Sequence, residues 1–261
     1  MRKLHLAFVA LFGFLSTTTI ASPANALFQL SGVGLGQDFE SAKKAFQGSN
    51  QGMVISEVST MSIPKNVGLK AEKRIGNKLG EEAIFLANQD GRVFYVGRRV
   101  YFLNGSPSVD ELVLALKNEF GDPSETSEGT FGVGYDWRSA SSVRTGPLGS
   151  YKKLAWMFDR EGEKSSTSCR QENKRAYAHD PLGLDGDRIW TSGCGLLITA
   201  YIEGGANISD TKRSNTPTGA STTFSAEANG STKLLRIDLI DAEFLFHDGM
   251  AKKAQRDRNR Q

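Results

Sequence analysis

The chain has 261 residues, with 32 Lys and Arg against 29 Asp and Glu. Two of those bases, Arg2 and Lys3, open a leader-like segment, so residues 27–261 are almost neutral, long enough for one substantial core or two small ones. A near-neutral body excludes the basic footprint of a nucleic-acid-binding domain, and no stretch beyond the leader approaches the roughly 20 apolar residues of a membrane-spanning helix.

Residues 1–26 read as a secretory signal peptide. Arg2 and Lys3 precede an apolar run from Leu4 to Leu15, then small and polar residues lead to Ala24-Asn25-Ala26, which predicts cleavage after Ala26. The expected destination is the bacterial periplasm or the extracellular space, with no transmembrane anchor in the processed chain. Gly32, Gly34 and Gly36 follow, but their GVGLG spacing lacks the G-x-G-x-x-G pattern after a buried strand that cradles a dinucleotide.

Asp38 predicts a helix cap, with Phe39, Ala42, Ala45 and Phe46 facing inward and Gly48 ending the helix. MVISEV, residues 53–58, reads as a strand. A turn-rich passage containing Pro64, Gly68 and Gly76 follows it. EEAIFLA, the turn Asn88-Gln89-Asp90-Gly91 and RVFYVGRRVYFL predict a hairpin.

Ser108 and Glu111 have capping-box spacing, Val109, Leu112, Val113, Leu116 and Phe120 share one helical face, and Gly121 with Pro123 stops the run. One apolar stripe needs a sheet to cover it. This helix with its EFGDP end and the strands after it resembles small secreted bacterial binding modules, a likeness that names no family.

GVGYDW and KLAWMFDR read as antiparallel strands around a loop near residues 139–150. A polar connection leads to RIW and to GLLITAYI, whose apolar run predicts a central strand. The passage from Gly204 to Ser231 is mostly Gly, Ser, Thr, Asn and Ala, and reads as a mobile loop between adjacent strands or as a binding loop ordered by a partner. Leu235, Ile237 and Leu239 alternate with Arg236 and Asp238. Ile240, Ala242, Phe244 and Phe246 then continue in the opposite phase, which predicts a β-bulge. The basic end, residues 251–261, reads as a mobile extension.

The expected fold class is α+β, a predominantly antiparallel sheet with two short helices of the N-terminal half packed on one face, in one body or two compact lobes. The corresponding division is 27–138 for a helix-and-sheet first lobe, 139–150 for a connection, 151–250 for a strand-rich second lobe and 251–261 for the basic tail.

Cys169 and Cys194 meet an oxidising compartment after export and predict a structural disulfide. For catalysis the candidates are His179 and His247, each with a neighbouring carboxylate from Asp180, Asp241 or Asp248. No GxSxG elbow or HExxH helix accompanies them. No cofactor is expected; Asp180, Asp185 and Asp187 in DPLGLDGD offer hard oxygen ligands to calcium, without the ligand ladder of an EF-hand. Trp137, Trp156, Trp190, Tyr135, Tyr151, Tyr177 and Tyr201 are candidates for an aromatic groove, with Tyr151 and Tyr177 placed toward solvent. Lys252, Lys253, Arg256, Arg258 and Arg260 form a basic cluster suited to an anionic envelope surface or acidic partner. These features favour an exported noncatalytic module that binds a protein, peptide or surface component. The alternative is a secreted hydrolase using His179 or His247.

Overall fold

The computed structural model describes residues 28–59, 67–103, 106–131, 149–165, 169–171, 189–216 and 219–259. The expected leader, GVGYDW and the connection over 139–148 lie outside the described residues. Gln29–Leu30 (β1) and Val33–Gly34 (β2) form a small hairpin. Helix α1, Phe39–Ser49, follows, and then come β3 (Val54–Val58), β4 (Val67–Ile75), β5 (Lys78–Ala87) and β6 (Val93–Tyr101). Helix α2, Val109–Phe120, leads to β7 (Glu125–Phe131), β8 (Gly149–Phe158), and the short pair β9 (Arg170–Gln171) and β10 (Ile189–Trp190). The chain closes with β11 (Leu196–Thr216), β12 (Gly219–Asp241) and helix α3 (Ala242–Arg258).

Eight of these strands form one sheet in the order β3-β4-β5-β6-β12-β11-β8-β7, and every neighbouring pair is antiparallel. The first four strands run as a meander. The chain then crosses on α2 to the far edge at β7 and works back inward, so that β12 hydrogen-bonds to β6. The sheet is therefore continuous between the two halves of the chain, and the apolar GLLITAYI run of β11 lies inside it between β12 and β8. This is the α+β architecture expected from the sequence.

Alternation along the strands sends Phe85, Val96, Trp156, Ile198, Ile237 and Leu239 to one face, where Ala42 and Phe46 of α1 and Leu112, Leu116 and Phe120 of α2 complete the core. The rings of Phe39 and Phe46 lie 5.7 and 5.2 Å from that of Phe85. Phe120 lies 5.2 Å from Trp156, whose indole N–H donates to the Gly121 carbonyl at 2.8 Å. The anticipated capping box of α2 is complete: Ser108 Oγ accepts from the Glu111 N–H at 3.1 Å and Glu111 Oε2 from the Ser108 N–H at 2.8 Å. Gly121, at φ 77°, supplies the left-handed exit.

The opposite face carries Ile84, Leu86, Tyr95, Met157, Leu197 and Ile240, packed against Ala242 and Leu245 of α3 and the buried Cys169–Cys194 disulfide. A register shift at Leu86/Ala87 leaves Phe94 and Tyr95 both in this cluster, and Phe94 meets Phe244 of α3 at 4.8 Å.

Four expectations need correction. The supposed loop from Gly204 to Ser231 is backbone-paired as the β11–β12 hairpin, with the connection at 217–218 outside the described residues. Scarcity of large apolar residues reports the lack of a core to bury, whereas backbone N–H and C=O groups still pair wherever strand geometry permits. The phase change after Ile240 is the start of α3, not a bulge: Asp241 Oδ1 accepts from the Phe244 N–H at 2.8 Å, and Ala242 and Leu245 turn inward at helical spacing. The turn-rich passage gives way to β4 from Val67. Gly48 lies inside α1, whose cap is Asn50. Toward the C-terminus, residues 251–258 continue α3, and the side chains described there are exposed.

Candidate functional site

Helices α1 and α2 cover one face of the sheet, and the first two turns of α3 cover part of the other. On that second face, strand register brings together a row of polar and aromatic residues from six strands: Glu82, Arg99, Arg236, Tyr201, Lys153 and Ser127, each directly across from the next. Tyr101, Leu234, Glu203, Tyr151 and Gly129 form the adjacent row. Tyr151 and Tyr201 are diagonal neighbours whose rings stack at 5.8 Å with planes inclined by 16°. Gly129 permits this, because a Cβ there would come within 2.9 Å of the Tyr151 ring.

Next to Tyr201 on the same face lies a largely buried charge network. Asp238 accepts from the Tyr95 hydroxyl at 2.6 Å and from Arg236 Nε at 2.7 Å, and Thr199 Oγ1 is 3.4 Å from its second oxygen. Gly97 faces Asp238 across the strand pair and leaves room for the Tyr95 hydroxyl above it. Burial first, and then the Asp238 charge, hold the Tyr95 phenol well above its usual range. Burial pulls the Arg236 guanidinium down, but Asp238 and Tyr95 outweigh it and the net shift is upward. Arg236 therefore stays charged, with its direction fixed by Asp238, directly across the strand pair from Tyr201. Burial, then Glu203, then Tyr151 raise the Tyr201 phenol, which stays a neutral hydrogen-bond donor at physiological pH. Arg99 pairs with Glu82 at 3.0 Å. This arrangement offers oriented hydrogen-bond donors beside aromatic surface.

Of the residues singled out from sequence, Tyr151 joins this patch together with Tyr201, whereas Trp156 is wholly buried core. Tyr177, His179, Asp180, Asp185, Asp187 and Arg260 lie outside the described residues, as do Tyr135 and Trp137. His247 is exposed on α3, 3.6 Å from Glu243, whose same oxygen takes Arg160 at 2.9 Å. Asp241 is engaged as the α3 cap, and burial is the main cause raising its carboxyl to about 6. Asp248 is the next residue after His247 on the same helix. These groups form a helix-terminal ion cluster. Cys169 and Cys194 are joined, with Cα atoms 5.3 Å apart, so neither is a free thiol among the described residues. The described residues hold no cluster of three or more metal-ligating side chains and no helix long and apolar enough to cross a membrane. Lys252, Lys253, Arg256 and Arg258 fall on the outer turns of α3, remote in sequence from the tyrosine patch.

Sequence reading missed the charged members of the patch. Arg236 and Asp238 register in the sequence only as the polar half of a strand alternation, and the pairing of β12 with β6 and β11, separated by more than a hundred residues in the first case, is what assembles them.

The fold and this patch define the class: an α+β protein built on one long antiparallel sheet, with a polar and aromatic area on the face that α3 partly covers. Comparison with known proteins finds no matching family model, no matching curated protein and no matching solved structure.

Proposed function

We propose that this is an exported, noncatalytic binding module that recognises a protein, peptide or envelope component through the tyrosine patch on its sheet. The observation that carries the reading is the Tyr151–Tyr201 stack standing beside Arg236, whose direction is set by buried Asp238. Paired aromatic side chains lose little conformational freedom on binding, and a pre-oriented guanidinium adds direction to the contact. Export is supported by the leader-like residues 1–26 and by the disulfide, a bond that persists in oxidising compartments. The basic outer turns of α3 add attraction to anionic surfaces that weakens with salt.

Two measurements test this reading. Fractionation of producing cells should place the processed chain outside the cytoplasm. Immobilised protein should then retain envelope components that the folded double variant Tyr151→Ala/Tyr201→Ala does not; equal retention by both would remove the patch from the function. Turnover of peptide, ester or glycoside substrates that disappears in His247→Ala would overturn the noncatalytic reading in favour of a hydrolase.

A further inference from the structure

On the face that α3 partly covers, the bases stand in one run. Arg99 of β6, Arg236 of β12, Tyr201 of β11 and Lys153 of β8 lie directly across from one another, bounded by Glu82 on β5 and Ser127 on β7. Like charges directly opposite on neighbouring strands destabilise a sheet, yet Arg99 faces Arg236. Each is held by its own carboxylate, Arg99 by Glu82 at 3.0 Å and Arg236 by Asp238 at 2.7 Å. In both pairs the base is the more exposed partner, 17% against 13% for Arg99 and Glu82 and 22% against 7% for Arg236 and Asp238. Solvent therefore meets the guanidinium of each pair ahead of its carboxylate. Neighbouring strands lie about 4.8 Å apart, so the distance across the sheet from Arg99 to Lys153 is about 14 Å. In an extended peptide alternate side chains share a face, and residues i and i+4 are also about 14 Å apart.

We infer that this row binds an extended acidic peptide segment, an inference that rests on the recognition role proposed for the tyrosine patch. One carboxylate of the segment meets the Arg99 and Arg236 guanidiniums, a second, four residues along, meets Lys153, and the residue midway lies on Tyr201. Guanidiniums take carboxylates through paired charge-assisted hydrogen bonds, and Asp238 holds that of Arg236 in one direction before any ligand arrives. Glu203 lies two residues from Tyr201 on the same face of β11, and it disfavours a third acid at the middle position. Cations on either side of a neutral phenol thus match spaced charges in one chain. A lipid surface, by contrast, responds to total charge, and the three bases of the row are nearly offset by Glu82 and Asp238.

The test is a titration of the full chain with the end-capped peptide Glu-Ser-Leu-Ser-Glu, followed by backbone amide chemical shifts, with Gln-Ser-Leu-Ser-Gln and Glu-Ser-Glu-Ser-Glu for comparison. Shifts should saturate, gather around Arg99, Arg236, Tyr201 and Lys153, weaken with added salt, and require higher concentrations of either comparison peptide. The variants Glu82→Gln/Arg99→Gln and Arg236→Gln/Asp238→Asn each remove a base together with its acid, so net charge is unchanged and no buried charge is stranded. Each should weaken binding at least about ten-fold. A parent chain that ignores the acidic peptide, or takes the Gln peptide equally well, would overturn the inference, as would folded double variants that bind as tightly as the parent. If vesicles of phosphatidylcholine and phosphatidylglycerol at about three to one bind the parent but neither double variant, and the peptide does not bind, the row belongs to a lipid surface and the peptide assignment is wrong. Should peptide binding fail while Tyr151→Ala/Tyr201→Ala still abolishes retention of envelope components, this inference falls and the recognition role of the tyrosines stands.

Discussion

Asp238 shows what a single buried charge demands of its surroundings. Its side chain is 7% exposed and holds both Arg236 and Tyr95, so Asp238→Ala leaves a guanidinium and a phenol without their partner in the sheet. The expected loss, read by denaturant unfolding, is about 3–5 kcal/mol. Asp238→Asn should cost less because an acceptor of the same shape remains. Replacing both partners, as in Arg236→Leu/Asp238→Leu, should also cost less than Asp238→Ala, because no charge is then stranded. Asp241 sets a pH dependence of opposite sense to the usual carboxylate. Its pKa rises from 3.8 to about 6 in the folded chain, so the folded state holds the proton more tightly than the unfolded state does. The resulting stabilisation is complete below about pH 4 and is lost as pH rises toward 6. Thermal unfolding across this window should show that slope in the parent and lose it in Asp241→Asn, which keeps a capping acceptor but cannot ionise. An unchanged slope would reject the assignment to Asp241.

At the scale of elements, α3 has two unequal parts. Its first turns bury Ala242 and Leu245 and stack Phe244 on Phe94, whereas beyond Met250 the described side chains face solvent. Leu245→Ala should therefore destabilise by about 2–5 kcal/mol, the range for a large side chain removed from a core. Deleting residues 251–261 should leave the melting temperature nearly unchanged, because it removes charge and little buried apolar surface. If the deletion lowers stability as much as Leu245→Ala, the outer turns pack against something that their exposure does not show.

The whole molecule is a sheet sandwiched unequally. Two helices and the β1–β2 hairpin seal one face, and a shorter cluster of α3 and the disulfide seals part of the other. The Cys169–Cys194 bridge closes a 25-residue separation in the chain and lies within the smaller cluster. Removing it by Cys194→Ser should lower stability by about 2–5 kcal/mol, and its presence should appear as a two-proton difference in intact mass on reduction. Two thiols that alkylate without prior reduction would show that the bridge does not form.

Much of this was legible locally. Helix α2 was readable from Ser108 to Gly121 because its cap, stripe and stop all lie within one short segment and agree with one another. The β5–β6 hairpin was readable for the same reason, its turn and its apolar runs being adjacent. The disulfide was readable because the chain has only two cysteines and its first 26 residues read as an export leader, which predicts an oxidising destination. Tertiary structure decided what depends on residues far apart in the chain. Phe244 and Phe246 fit a strand by alternation and a helix by packing, and only the cap at Asp241 and the surface offered by Phe94 settle the choice. The part of the β11–β12 hairpin beyond Gly205 carries almost no apolar pattern, so its pairing is a matter of backbone hydrogen bonds, which side-chain periodicity does not record. The tyrosine patch needs Tyr151 and Tyr201 to meet diagonally and Arg236 to fall beside them, and that register is set by strands β8, β11 and β12 packing into one sheet. Local spacing determines caps, turns and stripes because their partners lie within a few residues; a shared face between distant strands exists only once the sheet has formed.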